Sequence, residues 1–192
     1  MYRPPRNAKR DRMVSWQLIL YAYVIAGLIE TTFCFLAFWT VLWREGIGLG
    51  DLADTVDERW SGSSDAWTIG GRTLTGVQQE DILREAQSAY FLTIVMSQFW
   101  HIWNCKTRRM SVWKHGLFNN FAMNLGTIIS VCFAVIMVYA PFLHPVLLSH
   151  SVRGWAWLPQ FGSLLFLTGY NTWRKWYANR HRDSFVARWL IW

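Results

Sequence analysis

The sequence predicts an all-α membrane protein: a bundle of four transmembrane helices with the N- and C-termini in the cytoplasm. Three observations predict it. First, 53% of the 192 residues are hydrophobic and only 16% are charged. The apolar residues gather in four runs, about 16–43, 86–104, 117–140 and 155–173, each near or above the roughly 20 residues that cross a hydrocarbon core. Second, the charges are segregated. Nine of the 12 acidic residues lie between Glu45 and Glu85, whereas 14 of the 19 Lys and Arg residues lie in 1–12, 105–116 and 174–188. Basic residues collect on the cytoplasmic side of membrane proteins. The net charge of +7 is therefore a topology signal, and no nucleic-acid partner is expected. Third, one run carries a polar stripe. At 100° per residue, Thr93, Asn104, Ser97, His101 and Gln98 fall within an arc of roughly 140°. In a membrane such a stripe faces other helices.

Residues 1–15 form a basic, proline-bearing lead-in on the cytoplasmic side. The first apolar run, about 16–43, is too long for a signal-peptide core and lacks a small-residue cleavage site, so it is expected to stay as an anchor. It spans about 40 Å against a core of about 30 Å, so it is expected to tilt. Tyr23, Ala26, Gly27, Glu30, Cys34 and Ala37 fall on one face at helical spacing, and small residues around a carboxyl argue for close helix contact there. Glu30 is the one acid inside an apolar run, and exposure to lipid would cost it several kcal/mol. It is expected to face protein.

Residues 44–85 form an acidic outer loop with turn-marking Gly and Ser residues, and Gln78–Glu85 reads as a short helix leading into the second span. The loop is too small for an independent domain. The second span, about 86–104, ends at Lys106, Arg108 and Arg109. The third, about 117–140, carries Asn120, Asn124 and Ile128 on one face, and Pro141 and Pro145 bracket the outer turn 141–154. The fourth, about 155–173, has Pro159 and Gly162 near its outer end, where a broken first turn is cheap. Trp155, Trp157, Trp173 and Trp176 suit the two membrane interfaces. Arg174, Lys175, Arg180, Arg182 and Arg188 return the tail to the cytoplasm.

The three cysteines show no metal or disulfide arithmetic. Cys34 and Cys132 are expected to pack mid-span as small apolar groups, and Cys105 to be an interfacial thiol rather than a palmitoylation site. His115, His144 and His150 read as loop residues without a ligand role, because their spacing suits no metal site.

Several stretches carry a family resemblance. Cys105-Lys106-Thr107-Arg108-Arg109, then Ser111-Val112 and Trp113, with Gly116 and Asn119, resembles the turn between the eighth and ninth membrane helices of sodium/potassium-type P-type ATPases. Pro5-Arg6-Asn7-Ala8-Lys9 with Asp11, Met13 and Val14, continued by Ala22-Tyr23 and Gly27, resembles the entry to the seventh helix. Asp57-Glu58-Arg59-Trp60 resembles an outer-loop motif, and Ser163-Leu164-Leu165 through Tyr170 to Arg174-Lys175 resembles the tenth helix and its exit.

The resemblance implies helices seven to ten of a ten-helix pump: an integral, multi-pass segment of the plasma membrane, partnered by lipid and by the pump's remaining helices and cytoplasmic domains. In the complete pump it implies ATP and Mg as cofactors. This chain is expected to need none, since the family's phosphorylated Asp-Lys-Thr-Gly motif does not occur in it. Where the family's helix eight reads Gln-Trp-Ala-Asp and supplies an aspartate to a sodium site, this chain reads Gln98-Phe99-Trp100-His101. The family's helix-nine glutamate pair aligns with Ile128 and Ile129. Sodium wants oxygen ligands and compensating charge, so a third sodium site of that kind is not expected. The Ser-Tyr-Gly-Gln segment that meets the β-type subunit is absent near Gly70–Gly76, which leaves a β partner open.

The candidate site residues are therefore Glu30, Gln98, His101, Asn104 and Asn124, as an ion path or as interhelical polar ties. Lys106, Arg108 and Arg109 form a cytoplasmic basic motif that suits a pump domain, anionic lipid or topology alone. Three functions fit: the membrane segment of a P-type cation pump that is not catalytic alone, a stand-alone four-helix protein that binds or regulates a full-length pump, and a small ion or proton channel.

Overall fold

A computed structural model describes residues 16–53, 60–107, 110–116, 118, 120–181 and 184–185. The lead-in 1–15, Asp57–Arg59, Arg108, Arg109, Asn119, Arg182 and Arg188 lie outside the described residues.

The chain enters as one continuous helix, Trp16–Arg44, made of α1 (Trp16–Leu20), a π-helical turn (Tyr21–Ala26) and α2 (Gly27–Arg44). Ala26, Glu30, Cys34, Ala37 and Val41 are buried in it, the spacing of a single helical face. Tyr23 was expected on that face and is instead 80% exposed, while Tyr21 is buried. The π-helical turn takes more residues per turn and rotates everything before Ala26 against the α-helical register. The helix stops in a Schellman turn. Gly46, at φ +84°, donates to Trp43 O at 3.0 Å, and Ile47 donates to Leu42 O at 3.1 Å. A left-handed residue there demands glycine, and the turn drops Ile47 into the core.

The outer loop holds α3 (Leu49–Ala53) and a hairpin, β1 (Trp67–Ile69) with β2 (Arg72–Leu74), in the register Trp67↔Leu74, Thr68↔Thr73 and Ile69↔Arg72. The all-α expectation missed this hairpin. Its two-residue turn is Gly70-Gly71, both at positive φ, which is how such turns match strand twist.

The next helix, α4, runs unbroken through Gly76–Cys105. The separate short helix expected at Gln78–Glu85 is its first part. Thr75 Oγ1 accepts from Gln78 N and Gln78 Oε1 accepts from Thr75 N, a reciprocal cap that starts the helix well ahead of residue 86. A short α5 (Val112–His115) precedes α6 (Phe121–Tyr139). Asn120, expected on the helix face, caps it by accepting from Met123 N at 3.2 Å. The outer turn contains a 3-10 turn (Pro141–Leu143), α7 (His144–Leu147) and a second 3-10 turn (Gly154–Trp157) before α8 (Leu158–Arg180).

The core lies between α2, α4 and α8. Alanines at positions 37, 86, 89 and 156 let the backbones approach, with Val41, Leu42, Ile82 and Leu92 filling between them. Among its described residues, helix α6 meets this core through Ala134, Val138 and, at its end, Tyr139. Cys34 is buried as expected, but Cys132 is exposed, because α6 turns most of its circumference away from the other helices. At the outer end Arg153 ties three elements. Its Nη1 donates to Glu45 Oε1 at 2.7 Å, its backbone N to Glu85 Oε1 at 3.1 Å, and its Nε lies 3.4 Å from Glu85 Oε2. The bond to Glu45 raises the guanidinium's pKa further above its ordinary value.

Among the described residues, Trp16–Arg44 and Phe121–Tyr139 are long and apolar enough to cross a membrane. Helices α4 and α8 are longer than Phe121–Tyr139 but more polar. Six of their polar residues, Thr93, Ser97, Asn104, Gln160, Ser163 and Asn171, are buried in the contact between helices.

Candidate functional site: a polar seam between three helices

The buried polar residues of α8 recur at Gln160, Ser163, Asn171, Arg174 and Lys175, and those of α4 at Thr93, Ser97 and Asn104. Both are stripes at helical spacing. Packing α8 against α4 brings the stripes together, and the α1–α2 helix closes the third side with Tyr21 and Glu30.

The seam descends in steps. Ser97 Oγ and Ser163 Oγ share a hydrogen bond of 2.7 Å. Next to Ser97, Gln98 Nε2 donates to Glu30 Oε2 at 2.6 Å, and a turn further on His101 Nδ1 lies 3.7 Å from Glu30 Oε1. On its other side the His101 ring stacks on Tyr21 at 5.8 Å between centroids, and His101 Nε2 lies 3.5 Å from Cys105 Sγ. Tyr21 Oη donates to Asn171 Oδ1 at 2.7 Å, and the Arg174 guanidinium sits 4.1 Å over the Tyr21 ring. At the bottom Lys175 Nζ donates to Asn104 O at 2.6 Å, while Asn104 Nδ2 bonds Trp100 O and, at 3.3 Å, Thr168 Oγ1.

Glu30, Gln98 and His101 thus meet, and Asn104 joins the same seam one turn away. Asn124 does not. It lies on α6 and lines a cleft against α4 with Trp100, Trp103 and Ile128. Ile128 is 60% exposed and Ile129 is exposed too, so the positions that align with the family's glutamate pair do not face His101, which packs against Tyr21 and Glu30 of the first helix. Lys106 ends α4. Arg174 and Lys175 were expected at the cytoplasmic surface and are only 2% exposed each, since α8 continues to Arg180 with them on its inner face. Sequence reasoning also missed Tyr21, Ser163, Thr168 and Asn171. The repeat of polar residues through 160–175 was a legible signal for the three on α8; Tyr21 carried none.

The seam sets one carboxyl group beside one imidazole, with two buried basic side chains below. A hard cation needs several converging oxygens. Among the described residues, no group of three or more His, Cys, Asp or Glu could hold a metal ion.

Residues 1–177 match the family model described as "Cation transporting ATPase, C-terminus". The chain belongs to that cation-transporting ATPase C-terminal family. It is 26% identical over 190 residues to the sodium/potassium-transporting ATPase subunit alpha of Drosophila melanogaster, covering 98% of this chain and 18% of that protein. It is 27% identical over 199 residues to the potassium-transporting ATPase alpha chain 2 of Rattus norvegicus, covering 96% of this chain and 18% of that protein. The sodium/potassium-transporting ATPase subunit alpha of Hydra vulgaris is 27% identical over 190 residues, with 98% and 18% covered. The chain therefore spans under a fifth of the length of these relatives.

Proposed function

We propose that this chain is the membrane segment of a P-type cation pump, corresponding to helices seven to ten, and serves transport of monovalent cations when the rest of the pump is present. In this reading it crosses the plasma membrane four times with both termini in the cytoplasm. It does not hydrolyse ATP alone. Its partners are lipid and the other helices and cytoplasmic domains of the pump.

The observation that carries the reading is the Glu30–Gln98–His101 contact, in which the buried Glu30 is met by two side chains of the next helix, in a chain that matches the pump family over residues 1–177. An intramembrane carboxylate is costly and is retained where it has a partner. Here the partners are an amide and an imidazole, and an imidazole where a carboxylate would stand brings no fixed negative charge to a transported cation. The seam then lacks the oxygens and charge that sodium needs, and this part of the pump binds no third sodium. In an intact sodium pump carrying residues 16–180 in place of its own helices, sodium cooperativity is expected to fall. His101→Asp, beside Glu30 and Gln98, is expected to restore part of it. Full cooperativity with His101 in place would show that the seam is purely structural.

A further inference from the structure

The turn that follows α6 is arranged inside out. Its exposed residues between 141 and 148 are Pro141, Phe142, Pro145, Val146, Leu147 and Leu148, all apolar, with Phe142 74% and Val146 76% exposed. The polar residues His144, Ser149 and His150 are the half-buried ones. The loop between α2 and α4 provides the contrast. There Ser61, Ser63, Asp65, Arg72, Thr73 and Gln78 are exposed, while Leu74 is buried and Trp67 and Ile69 are half-buried, the ordinary arrangement in water. From His115 to Val152 the chain has no Asp, Glu, Lys or Arg.

The inward polar groups have a use. A helix that ends in water can leave its last carbonyls to water, but at the end of α6 protein groups take them. Ile136 O accepts from Ala140 N at 2.9 Å, Met137 O from Ser149 Oγ at 3.1 Å and Val138 O from His144 Nε2 at 2.9 Å. Ala140 O accepts from Leu143 N at 3.0 Å. Satisfying backbone groups internally is what hydrocarbon demands of a chain. Leu148 closes α7 at φ 51°, a conformation usually given to glycine or asparagine. Leucine keeps that position apolar.

We propose that residues 141–148 form a lipid-facing anchor, seated at the boundary between acyl chains and headgroups, with a phospholipid surface as the partner of the turn. Helix α6 has 19 residues, about 28 Å at 1.5 Å per residue, just short of a hydrocarbon core of about 30 Å. The turn therefore begins at the edge of the core. Its exposed face continues the face of α6 on which Leu125, Ile129, Phe133 and Ile136 are exposed, so lipid against one meets the other. Interfacial segments of this kind settle about 5–10 Å into the boundary. The insertion rests on α6 crossing a membrane. That the leaflet is the outer one rests on the four-span reading.

The test uses the full chain with Cys34, Cys105 and Cys132 replaced by alanine, purified and reconstituted in phosphatidylcholine vesicles. Phe142→Cys, Val146→Cys and, for comparison, Ser63→Cys each carry a bimane fluorophore, with unchanged circular dichroism as the folding check. Emission is quenched either by iodide on both faces of the membrane or by phosphatidylcholine spin-labelled near the top of its acyl chain. At 142 and 146 the lipid quencher is expected to lower emission by about two-fold or more, and iodide to quench several-fold less than at 63. Iodide quenching at 142 and 146 equal to that at 63 would place the turn in water and overturn the proposal. Weak quenching by both reagents would mean that protein, such as a second copy of the chain, covers the turn, and would overturn it too. Because iodide is on both faces, the outcome does not depend on which side the turn lies, so a failure of the four-span reading is separately visible.

Discussion

Glu30 and Gln98 show how a single polar contact is set by its surroundings. In water the amide and the carboxylate would gain little from each other. Between α2 and α4 both have left water, and the 2.6 Å bond is the main compensation Glu30 has. Interhelical polar contacts of this kind contribute about 0.6 to 2 kcal/mol. A double-mutant cycle with Glu30→Ala and Gln98→Ala, read by unfolding in mixed micelles, is expected to give a coupling in that range. A coupling of zero would mean that Gln98, which is itself exposed, prefers other company. Tyr21→Phe removes the bond donated to Asn171 and leaves the ring against His101 and Arg174. It should cost about 1 kcal/mol, whereas Tyr23→Phe, on the outer face, should cost nothing measurable.

At the scale of elements, the start of α4 decides how the outer loop is held. Gly76 is its first residue, and a Cβ there would lie 2.6 Å from Ser64 O and 2.9 Å from both Gly62 O and Ser61 O. Those neighbours are backbone and cannot rotate away. Gly76→Ala is therefore expected to displace the 61–64 turn and to cost more than Thr75→Ala, which loses one capping bond and about 1 kcal/mol. Amide hydrogen exchange over 61–80 measures both. Equal protection in Gly76→Ala and in the unaltered chain would contradict the close approach. Gly162 is the contrasting case. Its added Cβ meets Phe33 Cε1 at 2.9 Å, the end of a ring that can turn, so Gly162→Ala should be tolerated better.

For the whole molecule, topology is the open quantity with the sharpest test. Acidic residues crowd the segment 44–85 and basic residues the segments about it, which by the positive-inside rule puts the first outside. With the three cysteines replaced, single cysteines at Ser63 and Ser184 should show opposite labelling by an impermeant maleimide in sealed cells. Equal labelling would defeat the four-span arrangement. The purified chain is also expected to show no vanadate-sensitive ATP hydrolysis and no acid-stable phosphoenzyme, since it carries no Asp-Lys-Thr-Gly motif. Measurable turnover by the chain alone would refute that.

The sequence by itself determined the family, the four long helices to within several residues at most ends, the burial of Glu30, and the polar stripe of α4. The family follows from the resemblance of motifs such as Cys105-Lys106-Thr107-Arg108-Arg109, and the rest from composition, charge placement and periodicity, which are local properties of the chain. The tertiary structure decided which polar groups meet. A π-helical turn brings Tyr21 rather than Tyr23 to the seam, a rotation that no periodicity assuming 3.6 residues per turn can foresee. Only the packing of α8 shows that Arg174 and Lys175 point inward beside Asn104 rather than outward to the cytoplasm. Only the folded outer turn sets His144 beside His150. Side-chain partners across helices depend on crossing angle and rotation, and these are fixed by the sum of the packing rather than by any one segment.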